Sequence, residues 1–362
     1  MRRVRVRKSS VATGKKDRSQ YFSTKLVLRF GIIMAVVAIC AVFAIAAQAQ
    51  EEKVVKLRFA SFWPTTNEYA GLEGAWCKEV EKRTNGRVKV SYFPGGVLAP
   101  PPQMFDSLEK GVFDVGSGYF TYHAGRFPFS EILDLPLGYR DGAQSTFHAN
   151  AFAKKFKPKE YETVHMLLLH ASGPSFMQSK NKMTTLDDVK GKRIKSGGTS
   201  SLMTEALGGT AVTMPITETY DALAKGLIDA YWGPMEVGRD FKFADIMRYM
   251  VMDSGASNAT TCWIAMNKKK WDTLPKDVQE IIEKLNEEFI PKFADAHKRA
   301  EIGGREYNLK VGVMLVNVSE ADKAKTIAKM KPLFDEYVKK TKALGLPGDE
   351  AVKFCREYLK TH

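Results

Sequence analysis

The chain has 362 residues, 44% of them hydrophobic and 27% charged, a balance that supports a sizeable core and excludes disordered, collagenous and many-span membrane classes. Its formal charge of +14 is uneven: residues 1–49 hold ten Lys/Arg against Asp17 alone, so the remaining 313 residues carry only +5. A basic surplus confined to the N-terminal stretch leaves the body no grip on phosphates, and nucleic acid is not an expected partner.

Taken in chain order, the first feature is Phe30 to Ala47, an uncharged and almost wholly apolar run behind a basic segment. Ala47-Gln48-Ala49 follows it, the small-x-small pattern that signal peptidase accepts, so residues 1–49 read as an export signal cleaved after Ala49. The alternative is an uncleaved anchor, because 18 apolar residues just reach across a bilayer. Either reading puts the body outside the cytoplasm, in the periplasm.

From Val54 short strands alternate with amphipathic helices, the pattern of an α/β body. Val55 to Ala60 reads as a strand, and Leu72, Trp76 and Val80 as the buried stripe of a helix that stops at Asn85-Gly86. Val88, Val90 and Tyr92 alternate as a second strand, ended by Pro94-Gly95-Gly96. An internal repeat follows. Asp106-x-Leu108-x-Lys110-Gly111-x-x-Asp114 and Asp221-x-Leu223-x-Lys225-Gly226-x-x-Asp229 share one pattern, 115 residues apart. In each, a helix closes on a glycine, where a positive φ costs nothing, and a short apolar strand follows. The economical reading is two similar α/β lobes, each with a loop beyond a strand's carboxyl end, where ligands of open α/β sheets bind. Toward the C-terminus Val278, Ile281, Ile282, Leu285 and Phe289 mark a helix that Pro291 is expected to kink or interrupt. Ser319 to Asp322 reads as a capping box for the next helix, and Leu346-Pro347-Gly348 precedes a last short one.

Chemistry-bearing patterns are sparse. The four cysteines, Cys40, Cys77, Cys262 and Cys355, have no CxxC spacing, and the six histidines form no HxxxH or HExxH arrangement, so no metal or cofactor is expected. No G-x-S-x-G elbow supports a serine hydrolase. Ser196-Gly197-Gly198-Thr199-Ser200-Ser201 lies between a short strand, Arg193 to Lys195, and a helix containing Leu202, Met203, Ala206 and Leu207. Backbone N–H groups at such a helix start hold an anion, although a flexible capped turn has the same local pattern. Phe62, Trp63, Tyr119, Phe120, Tyr122, Tyr231, Trp232 and Trp263 all fall at strand ends or loops and together suggest a partly apolar cleft.

Several segments then carry a resemblance: Glu79 to Val90 with its Thr84-Asn85-Gly86-Arg87 turn, Tyr92-Phe93-Pro94-Gly95-Gly96-Val97-Leu98, Leu133-Asp134-Leu135-Pro136-Leu137, Leu186 to Lys195, Glu218 to Leu223, and Asn267 to Pro275. With these the chain resembles, over about residues 54–360, the extracytoplasmic solute receptors of tripartite ATP-independent periplasmic (TRAP) transporters, the DctP family. The resemblance implies a two-lobed Venus-flytrap fold with a long interlobe helix, here around Pro275 to Arg299, and C-terminal helices. It also implies a division into lobe I, residues 50–172 plus 259–298, and lobe II, residues 173–258 plus 299–362. Such a receptor closes over a small organic acid and delivers it to membrane permease subunits, with no catalytic step.

Departures from the family pattern bear on the ligand. The family's carboxylate-forking arginine corresponds to Lys195, which keeps the charge and loses the bidentate geometry. A second arginine corresponds to Ser175, a frequent asparagine to Gly233 and a polar position to Tyr119. The expectation is therefore a monocarboxylate with an apolar or aromatic body rather than sialic acid or a compact dicarboxylate. Lys195 is assigned as the carboxylate's cation, Ser196 and Gly198 as N–H or hydroxyl donors and Ser175 as a neutral donor. Phe62, Trp63, Tyr119 and Trp232 are the walls, Ile216 and Gly233 complete the ligand-binding set, and Glu236 accepts from a ligand hydroxyl or amine or else joins an interlobe ion pair. The alternatives are a receptor of an ATP-driven importer and, from another class, an exported enzyme using His123, His170 or Glu236 as its base.

Overall fold

The computed structural model describes residues 54–123 and 125–362, and Val54–His362 forms one unit built on two sheets. The export signal, with the choice between cleavage and anchoring, lies outside the described residues. Among the described residues no helix is long and apolar enough to cross a membrane.

The first sheet begins with β1 (Val55–Ala60), where alternation turns Leu57 and Phe59 inward and leaves Lys56 and Arg58 exposed. Helix α1 (Glu68–Arg83) starts at Asn67, whose side chain accepts from the Tyr69 N–H at 2.8 Å, and buries Tyr69, Trp76 and Val80. It ends where Asn85 and Gly86 take φ of 51° and 78°. β2 (Val88–Phe93), α2 (Met104–Glu109) and β3 (Val115–Tyr119) follow, then a 3₁₀ segment Ser130–Asp134, α3 (Gly142–Phe156) and β4 (Val164–Ala171). The chain next builds β5 (Phe176–Ser179), β6 (Arg193–Lys195), α4 (Thr199–Ala206), β7 (Thr210–Val212), α5 (Ile216–Ala224), β8 (Ala230–Gly233), α6 (Val237–Asp240) and β9 (Tyr249–Met252). It then returns to the first sheet through β10 (Thr261–Asn267) and closes with α7 (Lys268–Asp272), α8 (Lys276–Lys310), β11 (Met314–Asn317), α9 (Glu320–Ala343) and α10 (Gly348–Thr361).

The first sheet runs β2-β1-β3-β10-β4 and the second β11-β9-β5-β8-β6-β7. β1 is parallel to β2 and β3, and β6 is parallel to β7 and β8, so each lobe contains the expected α/β unit. The repeat read in the sequence is realised atom for atom. Asp114 Oδ2 accepts from the Arg58 N–H at 2.7 Å, and Asp229 Oδ2 accepts from the Arg193 N–H at 2.8 Å. The same two arginines donate to the carbonyls of Gly111 and Gly226, at 3.3 and 2.8 Å. Gly111 and Gly226 both have positive φ, 74° and 67°. The closing aspartate of each repeat thus ties a helix-to-strand turn to the neighbouring parallel strand.

Of the kink or interruption expected at Pro291, the interruption does not occur: helix α8 continues through it. Proline removes one intrahelical donor, but Phe289 and Phe293 on either side are buried in the first core, so tertiary packing holds the helix together. Near its start the Trp76 Nε1–H donates to Asn286 at 2.9 Å, and near its end Asn308 donates to the Met235 carbonyl at 2.8 Å, so one helix is fastened to both lobes. Packing in 299–362, grouped with lobe II in the sequence, is shared: Met330 joins the second lobe's core, while Phe334, Tyr337, Ala351 and Cys355 join the first.

Candidate ligand-binding site

Besides α8 and α9, two stretches link the lobes, from Ala171 to Phe176 and from Met252 to Thr261, and they run side by side. The Ser172 N–H donates to the Thr260 carbonyl at 3.1 Å, and the Ser175 N–H to the Asn258 carbonyl at 2.7 Å. In front of this ribbon, beyond the carboxyl ends of β3, β6 and β8, lies a cavity of about 680 Å³. Trp63, Tyr119 and Phe120 wall it from the first lobe, Ile216 and Trp232 from the second. The rings are held by one another and by a side-chain hydroxyl: Trp63 lies 5.0 Å from Tyr69 and 5.6 Å from Tyr119 between centroids, and the Trp232 Nε1–H donates to the Thr204 Oγ1 at 3.1 Å.

Lys195, the last residue of β6, enters this cavity half-buried. Burial alone displaces its amine, which falls from the ordinary 10.5 to about 8, and among the described residues no carboxylate pairs with it. A cation held at this cost inside an aromatic-walled space is one an incoming anion would compensate. Beside it, Gly198 and the first turn of α4 line the same space.

A second polar point is Glu236, just after β8, only 5% exposed. Its Oε1 accepts from the Tyr69 hydroxyl at 3.4 Å across the lobes, and its Oε2 has no partner among the described residues. Desolvation, with Asp240 and Glu301 adding repulsion, raises its pKa to about 8, so the carboxyl is largely protonated at neutral pH. Gly304 of α8 makes this placement possible, because a Cβ there would stand 2.5 Å from the Glu236 nitrogen.

Of the residues singled out in the sequence, Trp63, Tyr119, Ser175, Lys195, Gly198, Ile216, Trp232, Gly233 and Glu236 all line this one cavity. Ser196 and Phe62 do not. The Ser196 hydroxyl turns back to the Ile194 carbonyl at 3.1 Å, and Phe62 backs Trp63 and Tyr119 from the core side, with centroids at 4.5 and 5.3 Å. Gly233 has a steric reason: a Cβ there would meet the Tyr231 ring at 2.9 Å, so the asparagine frequent in the resembled family has no room. Sequence reading assigned no role to Asp134, Thr199, Asn258 and Tyr69, which also line the space. Two of them had a signal, Asp134 in the Leu133-Asp134-Leu135-Pro136 motif and Thr199 in the Ser196–Ser201 helix start.

Comparison with known proteins agrees with this architecture. The family model of bacterial extracellular solute-binding proteins, family 7 (DctP), matches residues 59–341. The chain belongs to this family. A TRAP periplasmic solute-binding protein from Desulfovibrio salexigens DSM2638 is 29% identical and superimposes over 85% of this chain and 97% of its own, with a TM-score of 0.76. One from Rhodoferax ferrireducens T118, in complex with copurified benzoate, is 24% identical over 85% of this chain and 98% of its own, with a TM-score of 0.78. The outer membrane transporter protein TsaT of Comamonas testosteroni is 25% identical over 286 residues, 78% of this chain and 84% of that protein. The two-lobed α/β fold of this family 7 member is that of the TRAP solute-binding proteins, and both family and fold are those of receptors.

Proposed function

We propose that this family 7 receptor captures a monocarboxylate with an apolar or aromatic body outside the cytoplasm and delivers it to the membrane permease subunits of a TRAP transporter. The observation that carries the reading is Lys195, a desolvated cation with no carboxylate partner among the described residues, in a cavity walled in part by aromatic rings. One free cation balances one carboxylate. The rings of Trp63, Tyr119 and Trp232 offer flat apolar surface to the remainder of the ligand, and Ser175 and Gly198 stand ready as neutral donors. The benzoate held by the Rhodoferax ferrireducens protein supports an aromatic acid. Both lobes contact such a ligand only when they are together, so binding favours the closed form.

The test is native mass spectrometry of the purified exported chain, followed by thermal shift against a carboxylate panel. Benzoate, phenylacetate, mandelate and branched monoacids should raise the melting temperature as concentration increases. Tight binding of succinate or sialic acid, with no response to aryl or branched monoacids, would overturn the reading.

A further inference from the structure

The turn that follows Lys195 belongs to the second lobe, yet it rests on the first at two points. A Cβ on Gly198 would stand 3.0 Å from Thr121 Cγ2, and Gly198 itself holds φ 54° and ψ −129°, a backbone conformation that side chains other than hydrogen rarely allow. One residue on, the Thr199 hydroxyl donates to the Asp134 carbonyl at 2.5 Å. Thr199 is 1% exposed and opens α4, whose Met203 is in the second lobe's core. Asp134 is 3% exposed and lies between Leu133 and Leu135 of the first lobe's core.

Asp134 is also fixed from behind. Its Oδ1 accepts from the N–H and the hydroxyl of Thr261, at 2.8 and 2.7 Å, where the second linking stretch enters β10. Its carbonyl accepts a second bond, from Asn258 Nδ2 at 3.0 Å, in the same linking stretch. The Asp134 carbonyl is therefore a preset acceptor, anchored to the first sheet and the interlobe ribbon, and Thr199 is the group that the second lobe brings to it. Asp134, Thr199 and Asn258 all line the ligand cavity.

We propose that the Thr199 hydroxyl and the Asp134 carbonyl form an interlobe latch that holds the Lys195–Ser201 segment shut over the bound ligand. Thr199 is a positioning residue in this scheme: it acts on the ligand through the closure of the turn that follows Lys195. The inference rests on the receptor reading above, and it adds a residue that sets ligand residence time. A latch made only in the closed form slows escape and leaves the encounter rate alone, because the ligand meets the open form.

Thr199→Val keeps the shape and removes the donor, and Thr199→Ser keeps the donor. With benzoate as probe, Thr199→Val should weaken affinity about five- to tenfold, the scale of one buried hydrogen bond, through faster dissociation and with association no slower than the parent's, and Thr199→Ser should stay within about twofold of the parent. A second readout needs no ligand: spin labels at Lys89→Cys and Lys192→Cys, on exposed strand and turn positions of the two lobes, report the interlobe distance. Thr199→Val should move that distribution toward longer distances, and Thr199→Ser should not. Equal distributions for parent and Thr199→Val would overturn the latch, as would a loss confined to the association rate or an equal loss in Thr199→Ser. If benzoate fails to bind the parent protein, the ligand reading fails, and the distance distributions still decide the latch.

Discussion

Lys195 makes the receptor's pH dependence a statement about one amine. In the free protein its charged form declines as pH rises through about 8, and Glu236 ionises in the same range, so both changes oppose an incoming carboxylate. Affinity for an aryl monoacid should therefore hold steady below about pH 7 and fall between pH 8 and 9, measured by calorimetry. Lys195→Ala should cost about 1.5–3 kcal/mol of binding at pH 7, the scale of a charged hydrogen bond, and should flatten the part of that decline due to the amine. Without ligand the linkage runs the other way. An unfolded lysine keeps its proton to about 10.4, whereas folded Lys195 releases it near 8, so the unfolded state holds more protons between these values. Stability of the unliganded protein gains from this residue as pH rises through that window, and Lys195→Met should remove the gain in urea titrations at pH 8 and 10. At this scale the family resemblance pointed to Lys195, and strand ends to most of the rings that line the cavity. The pairing of Thr199 with Asp134 stayed hidden because it joins residues 65 apart, and no local pattern records such a pair.

The elements repeat a device. Each α/β unit closes on an aspartate that receives the N–H of an arginine in the neighbouring parallel strand, Asp114 with Arg58 and Asp229 with Arg193. Replacing either aspartate by alanine leaves a strand's backbone donor without this acceptor, and each should cost about 1–2 kcal/mol of stability. The two sites lie in different lobes and share no partner, so the double variant should lose the sum, as read from denaturant midpoints. Their spacing was legible because glycine turns and acidic residues sit at fixed offsets. The arginines' role was not, since Arg58 and Arg193 precede their aspartates by 56 and 36 residues. Continuity of α8 through Pro291 is not legible for a related reason: local propensity allows a break there, and burial of Phe289 and Phe293 in the first core outweighs it. Gly304→Val should show what this helix does for the site. Its side chain would collide with the Glu236 backbone, so the variant should lose about 1–3 kcal/mol of stability and bind the ligand less tightly.

At the scale of the whole molecule, Cys77, Cys262 and Cys355 are free and buried, and burial pushes all three thiols upward in pKa. A reductant should leave the melting temperature unchanged, and a thiol reagent should label these cysteines only after denaturant is added. A drop in melting temperature with reductant would point to a disulfide instead. The order of strands in the first sheet has another consequence, for how the chain comes to be folded at all. β10 lies between β3 and β4, yet it is made only after every strand of the second sheet except β11. Until residue 267 emerges, the first lobe is two separate pieces with open edges, and its core has no centre. Pairings of such long sequence separation form slowly. A chain that delays the fourth strand of its first sheet in this way cannot join the two parts of that lobe until β10 is made.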